Sequence, residues 1–213
     1  MSQPMEHSLD QRLGDVLPII QESIIKQTHY FGVQTLKSPM DAWIYQEMVY
    51  DMQPDVIVEI GNAYGGSALM LAHWCDLLGK GRVIGVDLSH ELVAAVVRSH
   101  PRITLIEGDA AASAPAVKAM IQPGERVLVI EDSSHTYENT LAVLDAYADL
   151  VAVGDYFIVE DSICHHGLNV GPNPGPYEAI DAFVARRPEF EIDRSRERFL
   201  ITWNPKGYLR RRG

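Results

Sequence analysis

The middle of this chain has a rhythm that few folds can accommodate. Five short apolar runs rich in β-branched residues recur between residues 55 and 161: DVIVEI (55–60), RVIGVDL (82–88), RITLIEG (102–108), RVLVIED (126–132) and DYFIVED (155–161). Between them, SALMLAHWCDLL (67–78), a stretch around Glu91–Ser99 and ENTLAVLDAYADL (138–150) read as helices. Runs apolar at nearly every position are strands buried on both faces, and helical crossovers keep such strands parallel. The expectation is an α/β fold: a mostly parallel, seven-stranded sheet with helices on both faces. FEIDR and RFLITWNP, within 190–205, are expected to close it as an antiparallel hairpin.

Ahead of the sheet, Leu9, Leu13, Val16, Leu17, Ile20 and Ile24 fall at helical spacing, interrupted by Pro18. That pattern predicts one kinked helix or two short ones. Residues 28–37 are aromatic and irregular, and Ser38–Pro39 is an N-cap followed by a first-turn proline. Residues 1–53 therefore form a helical cap leading into a core of residues 54–213, the whole making one domain at 213 residues. Met48, Met52, Met70 and Leu71 belong to the core. HHGLNVGPNPGP (165–176) is a long loop, expected to act as a lid.

Charge removes some partners. With 18 Lys and Arg against 29 Asp and Glu, the net charge is −11, which speaks against nucleic acid or an anionic membrane surface. By the same balance, the terminal RRR (210–212) reads as a solvated tail. The opening residues lack the apolar core of a leader, and no apolar stretch is long enough to span a membrane. Cys75 and Cys164, far apart and without metal-ligand spacing, read as free thiols of a cytoplasmic protein.

The strand ends carry the chemistry, because ligands of open α/β sheets bind at the carboxyl ends of the strands. Each run ends in or near an acid: Glu59, Asp87, Asp109, Asp132, then Glu160 and Asp161. Polar strand ends are ordinary, but an acid at all five is not. The turn GNAYGGS (61–67) lets backbone approach a ligand but lacks the G-x-G-x-x-G spacing of dinucleotide sites. Asp87, 28 residues after Glu59, is placed to accept from the vicinal hydroxyls of a ribose. Asp109 and the Ala110 backbone would flank adenine. Asp132, Glu160 and Asp161 follow strands expected to be neighbours. Three such carboxylates together call for a cation, most simply Mg²⁺, with Mn²⁺ or Ca²⁺ as alternatives. His135 lies at the mouth of that cluster as a candidate general base.

EIGNAYGGSALMLA (59–72), GVDLS (85–89), IEGD (106–109), EDSSHT (131–136) and DYFIVEDS (155–162) resemble class I S-adenosylmethionine-dependent methyltransferases. LKSPMDAWIYQEMVYDMQPDVIVEIG (36–61) and ITWNPKGYLRR (201–211) are similar to the cephalosporin hydroxylase family, which includes rhamnosyl O-methyltransferases. The resemblance runs from about residue 28 to the C-terminus. It implies a Rossmann-like methyltransferase fold and S-adenosylmethionine as cofactor. Glu59, Gly61, Gly65 and Ser67 would hold the methionine part, Asp87 the ribose, and Asp109 and Ala110 the adenine, with Asp132 also at the cofactor. Asp132, Glu160 and Asp161 would be the metal ligands, and His135 the catalytic residue. The implied acceptor is a hydroxyl of a sugar or oligosaccharide, a mannoside or rhamnoside of a methylated polysaccharide or glycolipid. Tyr30, Phe31 and Tyr137 are candidate platforms for it, Trp43 reads rather as core, and His165, His166 and Asn169 are candidate contacts from the lid. A homodimer is expected. The word hydroxylase finds no two-His-one-carboxylate iron pattern, with His165 and His166 as the only opening. The other readings are an O-methyltransferase of an antibiotic-like or catechol-like molecule, a nicotinamide-dependent oxidoreductase, and a non-catalytic sugar- or nucleotide-binding module.

Overall fold

A computed structural model describes residues 9–213; the residues before Leu9, read above as free of a leader, lie outside it. The chain opens with α1 (Leu13–Gln27), a two-residue-per-strand hairpin of β1 (His29–Tyr30) and β2 (Val33–Gln34), and α2 (Pro39–Met52). Five strands then alternate with helices: β3 (Val56–Ile60), α3 (Gly66–Leu78), β4 (Arg82–Asp87), α4 (Ala95–Arg98), β5 (Ile103–Glu107), α5 (Ala114–Ala119), β6 (Val127–Glu131), α6 (Tyr137–Tyr147) and β7 (Tyr156–Val159). After a loop come α7 (Pro176–Arg186), β8 (Phe190–Ile192) and β9 (Tyr208–Arg211).

The seven-stranded sheet has the order β5-β4-β3-β6-β7-β9-β8. β3 to β7 are parallel, and β9 runs antiparallel to both β7 and β8. Side chains of a strand alternate between faces, and both faces are covered. Val56, Val58 and Ile60 pack with Val143, Leu144, Ile180 and Phe183 of α6 and α7. Ile57 faces the opposite layer, with Ile44 and Met48 of α2 and Leu69 and Leu71 of α3. Burying one such side chain contributes about 1.5–3 kcal/mol, which is why the strands carry no polar face. Met48 and Met52 belong to the second of these layers, and Met70 is buried as well, at 5% exposure.

Pro18 lies inside one continuous helix, α1, and not between two short ones. Two local expectations change. Around Glu91–Ser99 only Ala95–Arg98 is helical, the rest being turn. The closing hairpin uses a different second strand. RFLITWNP is not a strand; Tyr208–Arg211 is, inserted between β7 and β8. Tyr208 and Leu209 are fully buried on opposite faces, whereas Leu200 is 91% exposed. Arg210 and Arg211 are thus sheet residues and not a tail: Arg211 donates to the Val151 carbonyl, and Arg212 pairs with Glu191.

The Ser38–Pro39 signal holds. The Ser38 hydroxyl accepts from the Asp41 amide at 3.4 Å, and Pro39 is the first residue of α2. A satellite cluster of Leu17 and Ile24 from α1 with Ile163, Leu168 and Trp203 fastens α1 across the carboxyl ends of the strands.

Candidate active site

Chain order reverses at β3, which pairs with β4 on one side and β6 on the other. That switch point leaves a crevice beyond the two strand ends, and a cavity of about 630 Å³ occupies it. The close packing of the two loops explains Gly61. Its φ is +92°, and a Cβ there would lie 2.0 Å from the Asp132 carbonyl oxygen. A side chain at this position would push the β3 loop off the β6 loop.

The β3 loop is held by Asp87. Its Oδ2 accepts from the Asn62 amide at 2.7 Å and the Ala63 amide at 3.0 Å, so one carboxylate oxygen shapes the loop while Asp87 also lines the cavity. Asn62 donates to Glu59 Oε2 at 2.8 Å. Glu59 Oε1 is buried with no partner among the described residues. Burial raises the Glu59 carboxyl above its ordinary range, against the pull of Lys37. Gly61, Ser67, Asp87, Asp109 and Ala110 all line the cavity, whereas Gly65 lies behind it, capping α3 with φ +83° against Val97. Asp109 Oδ1 accepts from the Ala112 amide, and the Ala110 carbonyl accepts from the buried Tyr147 hydroxyl.

The acids after β6 and β7 meet on the other side of the cavity. Ligand atoms of Asp132, His135 and Asp161 lie within 4.8 Å of one another. His135 Nε2 is 3.4 Å from Asp161 Oδ2 and 3.9 Å from Asp132 Oδ1. Glu160 stands just behind, 6% exposed, and its Oε1 accepts from Lys37 Nζ at 2.5 Å. The same ammonium donates to Asp132 Oδ2 at 2.5 Å. Burial would lower the Lys37 ammonium, but Asp132, Glu160 and Glu59 outweigh it and hold it charged. Burial and Asp132 raise Glu160 well above the carboxylate range despite Lys37. Burial at the cavity floor and the neighbouring Asp132 push Asp161 up to about 6, against the pull of His135. The four carboxyl and imidazole groups expected at these strand ends are thus together, but in two sets. Asp132, His135 and Asp161 face the cavity, and Glu160 turns to Lys37.

Lys37 carries no sequence signal. It follows an irregular stretch, and its partners lie 95 and 123 residues away. Asp41 is similar: buried in α2, it accepts from Thr202, the Trp203 amide and the Tyr208 hydroxyl, tying α2 to the segment before β9.

The candidate acceptor contacts sit elsewhere. The cavity's outer wall is Gln21, Ile24 and Ile25 of α1 with Thr35, Leu36, Cys164, Val170, Gly171 and Trp203. Tyr30, Tyr137, His165, His166 and Asn169 do not line it. Tyr30 packs on Phe31 and His73. His165 bonds the Gly171 carbonyl, while His166 stacks on Tyr177 at 3.6 Å and bonds Glu178. Aromatic stacking and a carboxylate offer His166 more than open solvent would, so the loop folds it outward onto α7. Trp43 is not core either: it is 58% exposed, with its indole donating to Glu47. Both cysteines are free and buried.

A model of the family described as rhamnosyl O-methyltransferase/CmcI matches residues 22–212. The chain belongs to that family. The rhamnosyl O-methyltransferase of Mycobacterium tuberculosis is 36% identical over 193 residues, covering 86% of this chain and 78% of that protein. The rhamnosyl O-methyltransferase of Mycobacterium leprae is 35% identical over 199 residues, covering 87% and 83%. Among solved structures, CmcI in its Mg–SAM form superposes with a TM-score of 0.71 at 24% identity, over 87% of this chain and 77% of that one. A TDP-rhamnose 3'-O-methyltransferase of calicheamicin biosynthesis gives 0.57 at 20% identity, over 100% and 97%. The fold is that of class I methyltransferases, and the chain is an S-adenosylmethionine-dependent O-methyltransferase. No helix among the described residues is long and apolar enough to cross a membrane.

Proposed function

We propose that the chain methylates a sugar hydroxyl, a mannoside or rhamnoside, from S-adenosylmethionine with the help of a divalent cation. One observation carries the reading: a single cavity is lined on one side by Asp87 and Asp109 and on the other by Asp132, His135 and Asp161. A wall suited to a nucleoside and a carboxylate–imidazole cluster share one cavity. The names of the mycobacterial relatives, both rhamnosyl O-methyltransferases, favour a sugar acceptor.

The residues fit both groups. Glu59 has a buried oxygen without a partner, which suits an ammonium such as the amino-acid end of the cofactor. Asp87 Oδ2 is engaged by two loop amides, and Oδ1 would accept from ribose hydroxyls. Gly61 and Ser67 would hold the methionine part, Gly65 would shape the turn that carries it, and Asp109 and Ala110 would flank the adenine. Asp132 and Asp161 face the cavity beside His135 and, with Glu160 held just behind them by Lys37, would offer a hard cation such as Mg²⁺ the oxygens it prefers. When bound, the cofactor supplies an electrophilic methyl group and the cation a positive charge at the acceptor oxygen.

The chain's own residues do the rest. His135 Nε2 accepts the hydroxyl proton. The imidazolium so formed lies between the Asp161 and Asp132 carboxylates, 3.4 and 3.9 Å away, which favours the transfer. Trp203, Ile24 and Leu36 wall the acceptor side and hold the hydroxyl in line.

The test is methyl transfer from labelled S-adenosylmethionine to a panel of rhamnosides, mannosides, partly methylated sugars and catechols. Wild type should methylate a sugar and lose that activity in EDTA. His135→Ala should lose about 10²–10⁴-fold in turnover while binding S-adenosylhomocysteine normally. Full turnover by His135→Ala, or transfer to catechols only, would sink the reading.

A further inference from the structure

Lys37 is a fixed cation inside an anion site. Its side chain is only 5% exposed. It is bonded at 2.5 Å to one oxygen each of Asp132 and Glu160, two of the groups read above as metal ligands. Its backbone lies on the segment leading to α2, outside the sheet whose strand ends supply those carboxylates. The Ser38 cap and the first-turn Pro39 fix the residue immediately after it. Asp41, one turn on, is bonded to Thr202, Trp203 and Tyr208. The segment is therefore anchored to β9 and the residues before it, and Lys37 is delivered to the acids by structure and not by a flexible reach.

Asp132 and Glu160 share the one ammonium of Lys37, with Asp161 and Glu59 close by, so acids outnumber the single cation at this site. Like charges this close repel strongly unless a cation is present. Lys37 supplies such a cation, through oxygens that a metal would also use.

We propose that Lys37 is the resident counter-ion of this site: it holds Asp132 and Glu160 together before the divalent ion enters, and it competes with that ion for their oxygens. The inference rests on the cation-assisted reading above. It makes Lys37 a positioning residue that sets metal affinity, not a group that touches the reacting atoms.

Binding and stability measurements on the cofactor-free protein test this, with MnCl₂ as the probe. Lys37→Met should melt at a lower temperature than wild type in EDTA and recover with Mn²⁺ by more than wild type does. Its Mn²⁺ affinity, from calorimetric titration, should be roughly tenfold tighter or more, since one competing charge at contact distance has gone. Lys37→Met/Glu160→Gln, which removes one charge of each sign, should regain the stability lost in EDTA. An EDTA melting temperature equal to wild type, or an unchanged or weaker Mn²⁺ affinity in Lys37→Met, would overturn the proposal. If Lys37→Met does not fold, the double variant decides: folding of the double variant supports the counter-ion role, and its failure overturns it. Absence of Mn²⁺ binding by both wild type and Lys37→Met would overturn the cation reading itself, and the competition with it. Normal binding by wild type with no response to the substitution would overturn only the role of Lys37.

Discussion

Four non-glycine residues that line the cavity hold left-handed backbone: Leu36 at φ +57°, Ala63 at +44°, His135 at +56° and Asp161 at +55°. Each costs on the order of 1–3 kcal/mol and persists only where surrounding contacts enforce it. The enforcing contacts are visible for Ala63, whose amide is bound by Asp87, and for Asp161, whose amide donates to Asn204 at 3.1 Å. Glu131 is a second stored cost. It ends β6 at 2% exposure, with Ser133 and Asn139 donating to Oε1 and nothing reaching Oε2 among the described residues. Burial pushes its carboxyl up to about 8 from an ordinary 4.5. Between those values the folded chain holds a proton that the unfolded chain releases, so stability falls as pH rises through that window. Glu131→Gln keeps the shape and removes the titration. Its melting temperature should therefore fall less than that of wild type between about pH 5 and 8.5; parallel curves would contradict the assignment. At this scale the sequence shows the acids of the strand ends, because strand boundaries fix where those residues must lie. Lys37 and Glu131 are hidden, because their meaning depends on partners or burial that no local pattern encodes.

At the scale of elements, β3 to β7 are legible because both-face burial forces unbroken apolar runs. β9 is not legible: YLRR has two apolar residues followed by two arginines, and only its place between β7 and β8 makes it a strand. The role of α1 is likewise absent from its amphipathic spacing, which says that one face is buried but not against what. In the structure that face lies on Ile163, Leu168 and Trp203 and walls the part of the cavity proposed above for the acceptor. The Trp203 indole donates to Gln21 of α1, a further tie. Leu17 is 6% exposed and anchors α1 without lining the cavity. Leu17→Ala removes packing worth about 2–5 kcal/mol at a fully buried site and should loosen α1 alone. Hydrogen exchange over 13–27 should quicken while β3 and β6 keep their protection. The acceptor KM should rise several-fold with S-adenosylhomocysteine affinity intact, because Asp87 and Asp109 lie on the other side. An unchanged acceptor KM would show that α1 is not part of the acceptor wall.

For the molecule as a whole, the sheet order decides which loops meet, and alternation alone cannot give it. β3 and β6 are separated in sequence by β4 and β5, yet Gly61 and Asp132 touch because the chain doubles back at β3. On the proposed reading the cofactor would bridge two halves of one sheet, because the cavity is lined by Asp87 and Asp109 from the β4–β5 half and by Asp132 from the β6–β7 half. A ligand so placed is coupled to global unfolding and not to the fraying of one loop. S-adenosylhomocysteine at 100 times its Kd should add about 2.7 kcal/mol to folding stability. For a chain of this size that is a rise of roughly 5–10 °C in melting temperature. The rise should appear as one cooperative transition shifted intact. Asp87→Ala should abolish it, since that change removes both the ribose acceptor and the group that shapes the β3 loop. A split transition, with only part of the molecule responding, would mean that the two halves of the sheet unfold separately and that the cofactor does not span them.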